Sequence, residues 1–239
     1  MVNSTFRKKL SMATAGAAFI TLGAMGVAQA QVTISENGDA GQTLDTAQQI
    51  PSGAATLNSI VGTISSPEEA DLFSFFIQDP AAFSATTVGG VPNNSLVDTQ
   101  LFLFNSDGNG VYANDDALEG SFASTLPAGN QFSPTQPGVY FLGISAYDND
   151  PVSAGGEIFP EGEPDPFTGF RTVVVGPTGP GGGSPLTNFD GNGDEIGSYE
   201  ISLTGVNAVP EPSSVLGFLT IGVFGAGAMV KRRWKKCKN

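Results

Sequence analysis

Alternating apolar and polar positions recur along the middle of the chain. Tyr199-Glu200-Ile201-Ser202-Leu203-Thr204 puts Tyr199, Ile201 and Leu203 on one face and polar groups on the other, the period of a half-buried strand. Similar segments predict strands near 58–64, 71–77, 82–88, 99–104, 110–114, 121–126, 139–145 and 171–175. The runs "DLFSFFI", "TQLFLFN" and "GVYFLGIS" are apolar on both faces, which predicts central strands. "SDGNG", "PNNS" and "QPG" are turn signals between them. No segment of this region holds a 3.6-residue period. The expected fold class is therefore all-β, a single jelly-roll-like β-sandwich of about nine strands over residues 31–207.

Two apolar stretches at the ends break this pattern. Arg7, Lys8 and Lys9 precede the small-residue stretch Leu10 to Val27, and Ala28-Gln29-Ala30 fits the small-x-small rule. Residues 1–30 are thus expected to be a signal peptide, removed by signal peptidase to leave Gln31 first. At the other end, the sixteen residues from Val215 to Val230 carry no charge and are followed by six Lys or Arg within 231–238. At about 1.5 Å per residue that run spans roughly 24 Å, slightly short of the usual membrane helix, a mismatch that bilayer thinning or snorkelling flanks absorb. The basic cluster beginning Lys231, Arg232, Arg233 would stay cytoplasmic, which places the acidic segment across the membrane.

Removing both ends changes the charge picture. Residues 31–214 hold all 23 acids and one basic residue, Arg171, a balance of 1 − 23 = −22. Such a surface repels nucleic acid and anionic headgroups, so no nucleic-acid partner is expected and cations are the favoured ligands. The same charge also keeps an exported protein soluble without any partner. The single cysteine, Cys237, lies beyond the apolar run, so the exported segment has no disulfide and stands on its own core. The chain has no histidine, which with the absence of cysteine from that segment excludes Ser-His-Asp and Cys-His catalysis and His- or Cys-based zinc and haem sites. A glycosidase built on two carboxylates needs only acids. The one tryptophan, Trp234, is in the tail, so a sugar platform would fall to tyrosines or phenylalanines.

Ca2+ is the ligand these residues suit best, since it takes six to eight oxygens from Asp, Asn and carbonyls on tight turns. Three clusters qualify. "NSDGNG" and "NDD" supply Asn105, Asp107, Asn109, Asn114, Asp115 and Asp116 at the two ends of one short strand; "YDND" supplies Asp148, Asn149 and Asp150; "DGNGDE" supplies Asp190, Asn192 and Asp194. The last has the first half of an EF-hand loop, but Glu195 stands where glycine is needed and Ile201 where the bidentate Glu belongs. Asp-Gly and Asn-Gly steps are also ordinary turn formers.

The tail resembles a known signal. Val209, Pro210, Glu211, Pro212 and Ser213, then the short apolar helix 215–230, then the basic cluster, are similar to the PEP-CTERM sorting signal. That resemblance covers residues 208–239 and implies export across the inner membrane of a Gram-negative-type bacterium and processing by the membrane protease exosortase. The order "EADLFSFFI", "DTQLFLFNSDGNGVYANDD", "QPGVYFLGIS", "GSYEISLTG" over 68–205 resembles the bacterial pre-peptidase C-terminal β-sandwich, whose members are non-catalytic modules, some binding calcium or matrix polymers. The departure from it is 148–193, 46 residues with seven Pro and eleven Gly. It reads as a solvated flap; the alternative is that within it "FRTVVV" (170–175) adds an edge strand and carries Arg171 to a carboxylate.

The functional expectation is an exported, non-enzymatic protein of the cell surface or exopolysaccharide matrix, membrane-inserted through 215–230 before processing. A calcium-dependent adhesion or glycan-binding module is the alternative, with a carboxylate glycosidase behind it.

Overall fold

A computed structural model describes residues 31–88, 95–96, 98–162, 164–191, 193 and 195–208. The signal peptide with Ala28 and Ala30, the turn residues 92–94, Asn192, Asp194, the Val209–Ser213 motif, the helix 215–230 and Lys231, Arg232 and Arg233 lie outside the described residues. Among the described residues the chain is all-β, with no helix and hence none long and apolar enough to cross a membrane.

Three sheets form. The first has the order β1 (Gln31–Ser35), β3 (Ala55–Ile64), β13 (Gly197–Thr204), β5 (Ser84–Thr86), β8 (Thr125–Leu126), with β14 (Asn207–Ala208) also on β3. The second runs β2 (Gln48–Gln49), β4 (Ala70–Ile77), β9 (Gly138–Ala146), β6 (Thr99–Asn105), β7 (Gly110–Asn114). The third is β11 (Gly156–Glu157), β10 (Asn149–Ser153), β12 (Leu186–Gly191). The three runs apolar on both faces are β4, β9 and β6, and they occupy the middle of the second sheet as the sequence predicts. Tyr199, Ile201 and Leu203 are buried alternately along β13, also as predicted.

The middle sheet is apolar on both faces because it has a core on each. Phe73, Phe75 and Ile77 of β4 and Leu101 and Leu103 of β6 join Leu57, Ile60, Tyr199 and Ile201 of the first sheet in one buried cluster. Their neighbours Ala70, Leu72, Phe102 and Phe104 point the other way, into a second cluster with Ile158, Phe159, Leu186 and Phe189. Phe159 stacks near both Phe102 and Phe104, with ring centroids 5.9 and 5.8 Å away.

That second cluster corrects the flap expectation for 148–193. The stretch contains β10, β11 and β12, and four of its apolar side chains are core. Its Gly/Pro segment is tied down rather than solvated: Gly179 N–H donates to Ile158 O at 3.1 Å, Gly181 N–H to Glu157 O at 2.7 Å, and Ser153 Oγ to Gly181 O at 2.8 Å. Glycine is required there by close approach, since a Cβ on Gly181 would overlap the Gly156 carbonyl.

Residues 171–175 do run along the edge strand β7, but without forming a strand. Ala113 and Val175 exchange both backbone bonds at 2.9 Å, and Asp116 N–H donates to Arg171 O at 3.3 Å. Segments 82–88 and 121–126 shorten to β5 and β8, where turns and polar contacts replace ladder pairing.

Candidate functional site

Hairpin register builds the first group of acids. In the β6–β7 pair Leu101 faces Asn114, so Asp98, just before β6, lies beside Asp115 and Asp116, just after β7. One carboxylate oxygen from each of the three lies within 4.8 Å of the other two. Local bonds hold the turn: Asn114 Nδ2 donates to Asp116 O at 3.0 Å, Asn114 Oδ1 accepts from Thr125 N–H at 2.8 Å, and Asp116 Oδ2 accepts from Arg171 N–H at 2.5 Å. Both polar atoms of the Asn114 amide are thus bonded within the protein.

Arg171 borders the same cavity as Asp115 of this group and Asp150 and Glu161 of a second. Its guanidinium pairs with Glu161 at 3.3 Å and lies over the Tyr147 ring, 5.3 Å from the centroid. Glu161 converges with Asp148 and Asp150 in another triad of carboxylates, and Asp150 Oδ1 accepts from Gln100 Nε2 at 3.2 Å. A cavity of about 30 Å³ lies between the two groups, lined by Asp115, Asp150, Glu161, Tyr147 and Arg171 among others. It is large enough for one water-sized occupant.

The third group comes from segments far apart in sequence. Glu36 follows β1, Glu69 precedes β4, and Asp71 is on β4 facing the first sheet; their oxygens also lie within 4.8 Å of one another. Glu36 accepts Ala40 N–H and Thr63 N–H, and Glu69 Oε2 accepts Ser65 and Ser66 N–H, so both are fixed in place. Asp71 is fully buried; Tyr199 OH donates to its Oδ2 at 2.5 Å, while Oδ1 has no partner. Tyr199 reaches this point by lying across Gly62, where a side chain would collide with it. An open cleft of about 570 Å³ lined by Glu36, Asp39, Glu69 and Tyr199 leads to the group.

Of the residues singled out in the sequence, Asp115 with Asp116 and Asp148 with Asp150 are brought into such groups. Asp107 and Asn109 are not: they sit in the β6–β7 turn, at the far end of β7, where their N–H groups both donate to Asn105 Oδ1 at 3.0 Å. Asp190 is exposed on β12 opposite Asp150 and joins no group. Asp98, Glu161 and the set Glu36, Glu69, Asp71 are additions that the sequence reading missed.

Burial is the largest influence on these carboxyls. Asp71 is pushed up to about 8, where the Tyr199 bond opposes the shift and the charges of Glu36 and Glu69 add to it. Asp115 rises to about 7, with Asp116 and Asp98 adding and Arg171 opposing, and Asp98 rises to about 6. The folded chain thus holds these protons to higher pH than the unfolded chain, whose Asp value is 3.8. Between those limits the folded state binds more protons, so these groups' contribution to stability is full at low pH and is lost as pH rises towards about 8. In a chelator, the melting temperature is expected to fall across the upper part of that window, and Asp71→Asn should shrink the fall. A melting temperature that rises there, with no effect of the substitution, would contradict the assignment.

No family model and no curated protein matches the chain.

Proposed function

We propose that the chain is an exported, non-enzymatic protein of the cell surface or extracellular matrix. On this reading its all-β, three-sheet body is a jelly-roll-like β-sandwich similar to the pre-peptidase C-terminal module, completed by Ca2+ and delivered by the PEP-CTERM tail through exosortase. Support for the export route is the charge division, −22 over 31–214 against six basic residues in 231–238, together with the Val209–Ser213 motif. Exopolysaccharide is the matrix partner this reading favours.

Asp71 is the observation that carries the calcium reading. A fully buried carboxylate with one unpartnered oxygen is costly, and it converges with two more acids at the mouth of a cleft. A hard cation there satisfies Asp71 Oδ1, neutralises the group and ties the segment after β1 to β3 and β4. With no lysine anywhere in 31–214, no side-chain ammonium of the exported segment can do the same.

The test uses protein recovered from the outside of the producing cell. Its intact mass should correspond to a chain beginning at Gln31 and lacking the basic tail. Its melting temperature should rise in millimolar Ca2+ relative to chelator and to Mg2+ at matched ionic strength, a stabilisation of about 0.4–1.4 kcal/mol at a one- to tenfold ratio of Ca2+ to Kd. Equal effects of the two ions would mean only screening of a crowded negative surface, and retention of Lys231 to Asn239 in most molecules would sink the sorting reading.

A further inference from the structure

We propose that Asp98, Asp115 and Asp116 form a second, independent site for a divalent cation of the calcium class. The inference goes beyond the Glu36, Glu69, Asp71 centre, because the two groups lie on opposite flanks of β9: Asp71 pairs with Ile144 in β4–β9, and Thr99, next to Asp98, pairs with Ala146 in β6–β9.

Convergence of three acids is not enough by itself, since exposed acids gather without a ligand. The second observation is what each presents to the others. Asp116 is only 4% exposed, and its Oδ1 has no partner although Oδ2 is bonded to Arg171 N–H. Asp98 Oδ1 and Asp115 Oδ1 are likewise buried and unpartnered. Buried polar atoms in folded proteins are nearly always satisfied, and here each of three carboxyl groups that meet within 4.8 Å keeps one buried oxygen open. Arg171 opposes the burial shift at all three acids, but its guanidinium bonds to Glu161 and lies over the Tyr147 ring, and its Nε has no partner. Its only bond to the three is from its backbone N–H to Asp116 Oδ2, so the three Oδ1 atoms stay open. A cation of the calcium class suits the set because it takes oxygens only, at flexible geometry, and completes its shell with carbonyls and water. Mg2+ is smaller and more rigid in its demands, so three carboxylates gathered from two turns suit it less.

Placement also explains what the site does. Asp98 anchors the start of β6, Asp115 and Asp116 the end of β7, and Asp116 the 171–175 segment through Arg171 N–H. One ion at this point fastens the hairpin to the segment that covers its edge.

Calorimetric titration of the full chain in detergent with Ca2+ alone is the test. Two binding events per chain are expected, with Kd of order 10⁻⁴ to 10⁻³ M as in extracellular modules. Asp98→Asn with Asp115→Asn should abolish one event and leave the other; Asp71→Asn should do the reverse. A wild-type chain with one event, lost only in Asp71→Asn, overturns this proposal and leaves the first centre standing. One event lost only in the Asp98, Asp115 variant supports it and removes the first centre; no event at all overturns both. Should the double variant fail to fold, terbium luminescence decides: Tyr147 lines the cavity beside Asp115, so Tyr147→Phe should lose a calcium-competable part of the sensitised emission. Undiminished emission in Tyr147→Phe overturns the proposal.

Discussion

Replacing Phe159 by alanine is expected to lower stability by about 3–5 kcal/mol, the usual range for emptying a buried phenylalanine site. The residue lies in a stretch that composition marks as loop, yet it is 5% exposed and its ring meets Phe102 and Phe104 on the outer face of the middle sheet. Ala70 and Leu72 of β4, Ala113 of β7, Leu186 and Phe189 of β12 and Ile158 complete the same cluster, so with β6 the neighbours that would have to collapse into the gap come from four strands and the bend at Ile158. Urea unfolding of variant and parent measures the effect. A difference within about 0.5 kcal/mol, the scale of an exposed substitution, would return 148–193 to the status of a flap.

Leu101→Ala is expected to cost about 2–5 kcal/mol from the opposite side of the same sheet. Leu101 is fully buried between the first and second sheets, paired with Ile144 on β9 and Asn114 on β7. Phe141 gives the contrast. It belongs to a run that reads as equally central, but it is only partly buried and lines an open cleft of about 400 Å³ with Leu44, Phe76 and Val139. Truncating Phe141 should therefore cost less than truncating Leu101, despite removing more atoms. The reverse order in parallel urea titrations would mean that the cleft is closed in solution.

These two sites mark where the sequence could be read and where it could not. β4, β6 and β9 were visible because an uninterrupted apolar run has few alternatives to a strand covered on both sides. What covers the outer face was not visible, because Ile158, Phe159, Leu186 and Phe189 are scattered among prolines and glycines that signal turns. Their burial follows from long-range packing, which no local period encodes. β1 shows an alternation of Val32 and Ile34 that is readable but short, and β2, β11 and β14 have only two residues each.

The acids divide in the same way. Asp115 and Asp116 were legible as a turn, and Asp98 could have been added by counting back from the "SDGNG" hairpin, since the register that pairs Leu101 with Asn114 carries Asp98 to the same end. Glu36, Glu69 and Asp71 had no such route. Their meeting depends on β1 pairing in parallel with β3 and on two sheets facing each other, contacts that a local reading has no means to generate.

The sheet edges have a consequence for a protein that would cross a membrane unfolded and refold among many copies of itself. An edge of any length presents open backbone groups to which another chain can add. Here β2 and β8, each an edge of one of the larger sheets, offer only two residues, and β7 has 171–175 laid along it with bonds at Ala113 and Asp116. A neighbouring chain arriving at β7 must first displace a segment of the same molecule. The long edge left in those two sheets is β1, whose exposed positions Gln31, Thr33 and Ser35 are polar. In the third sheet the edge strand β12 likewise exposes polar positions, Thr187, Asn188 and Asp190, so among the described residues crowded copies of this chain find little apolar edge on which to template one another.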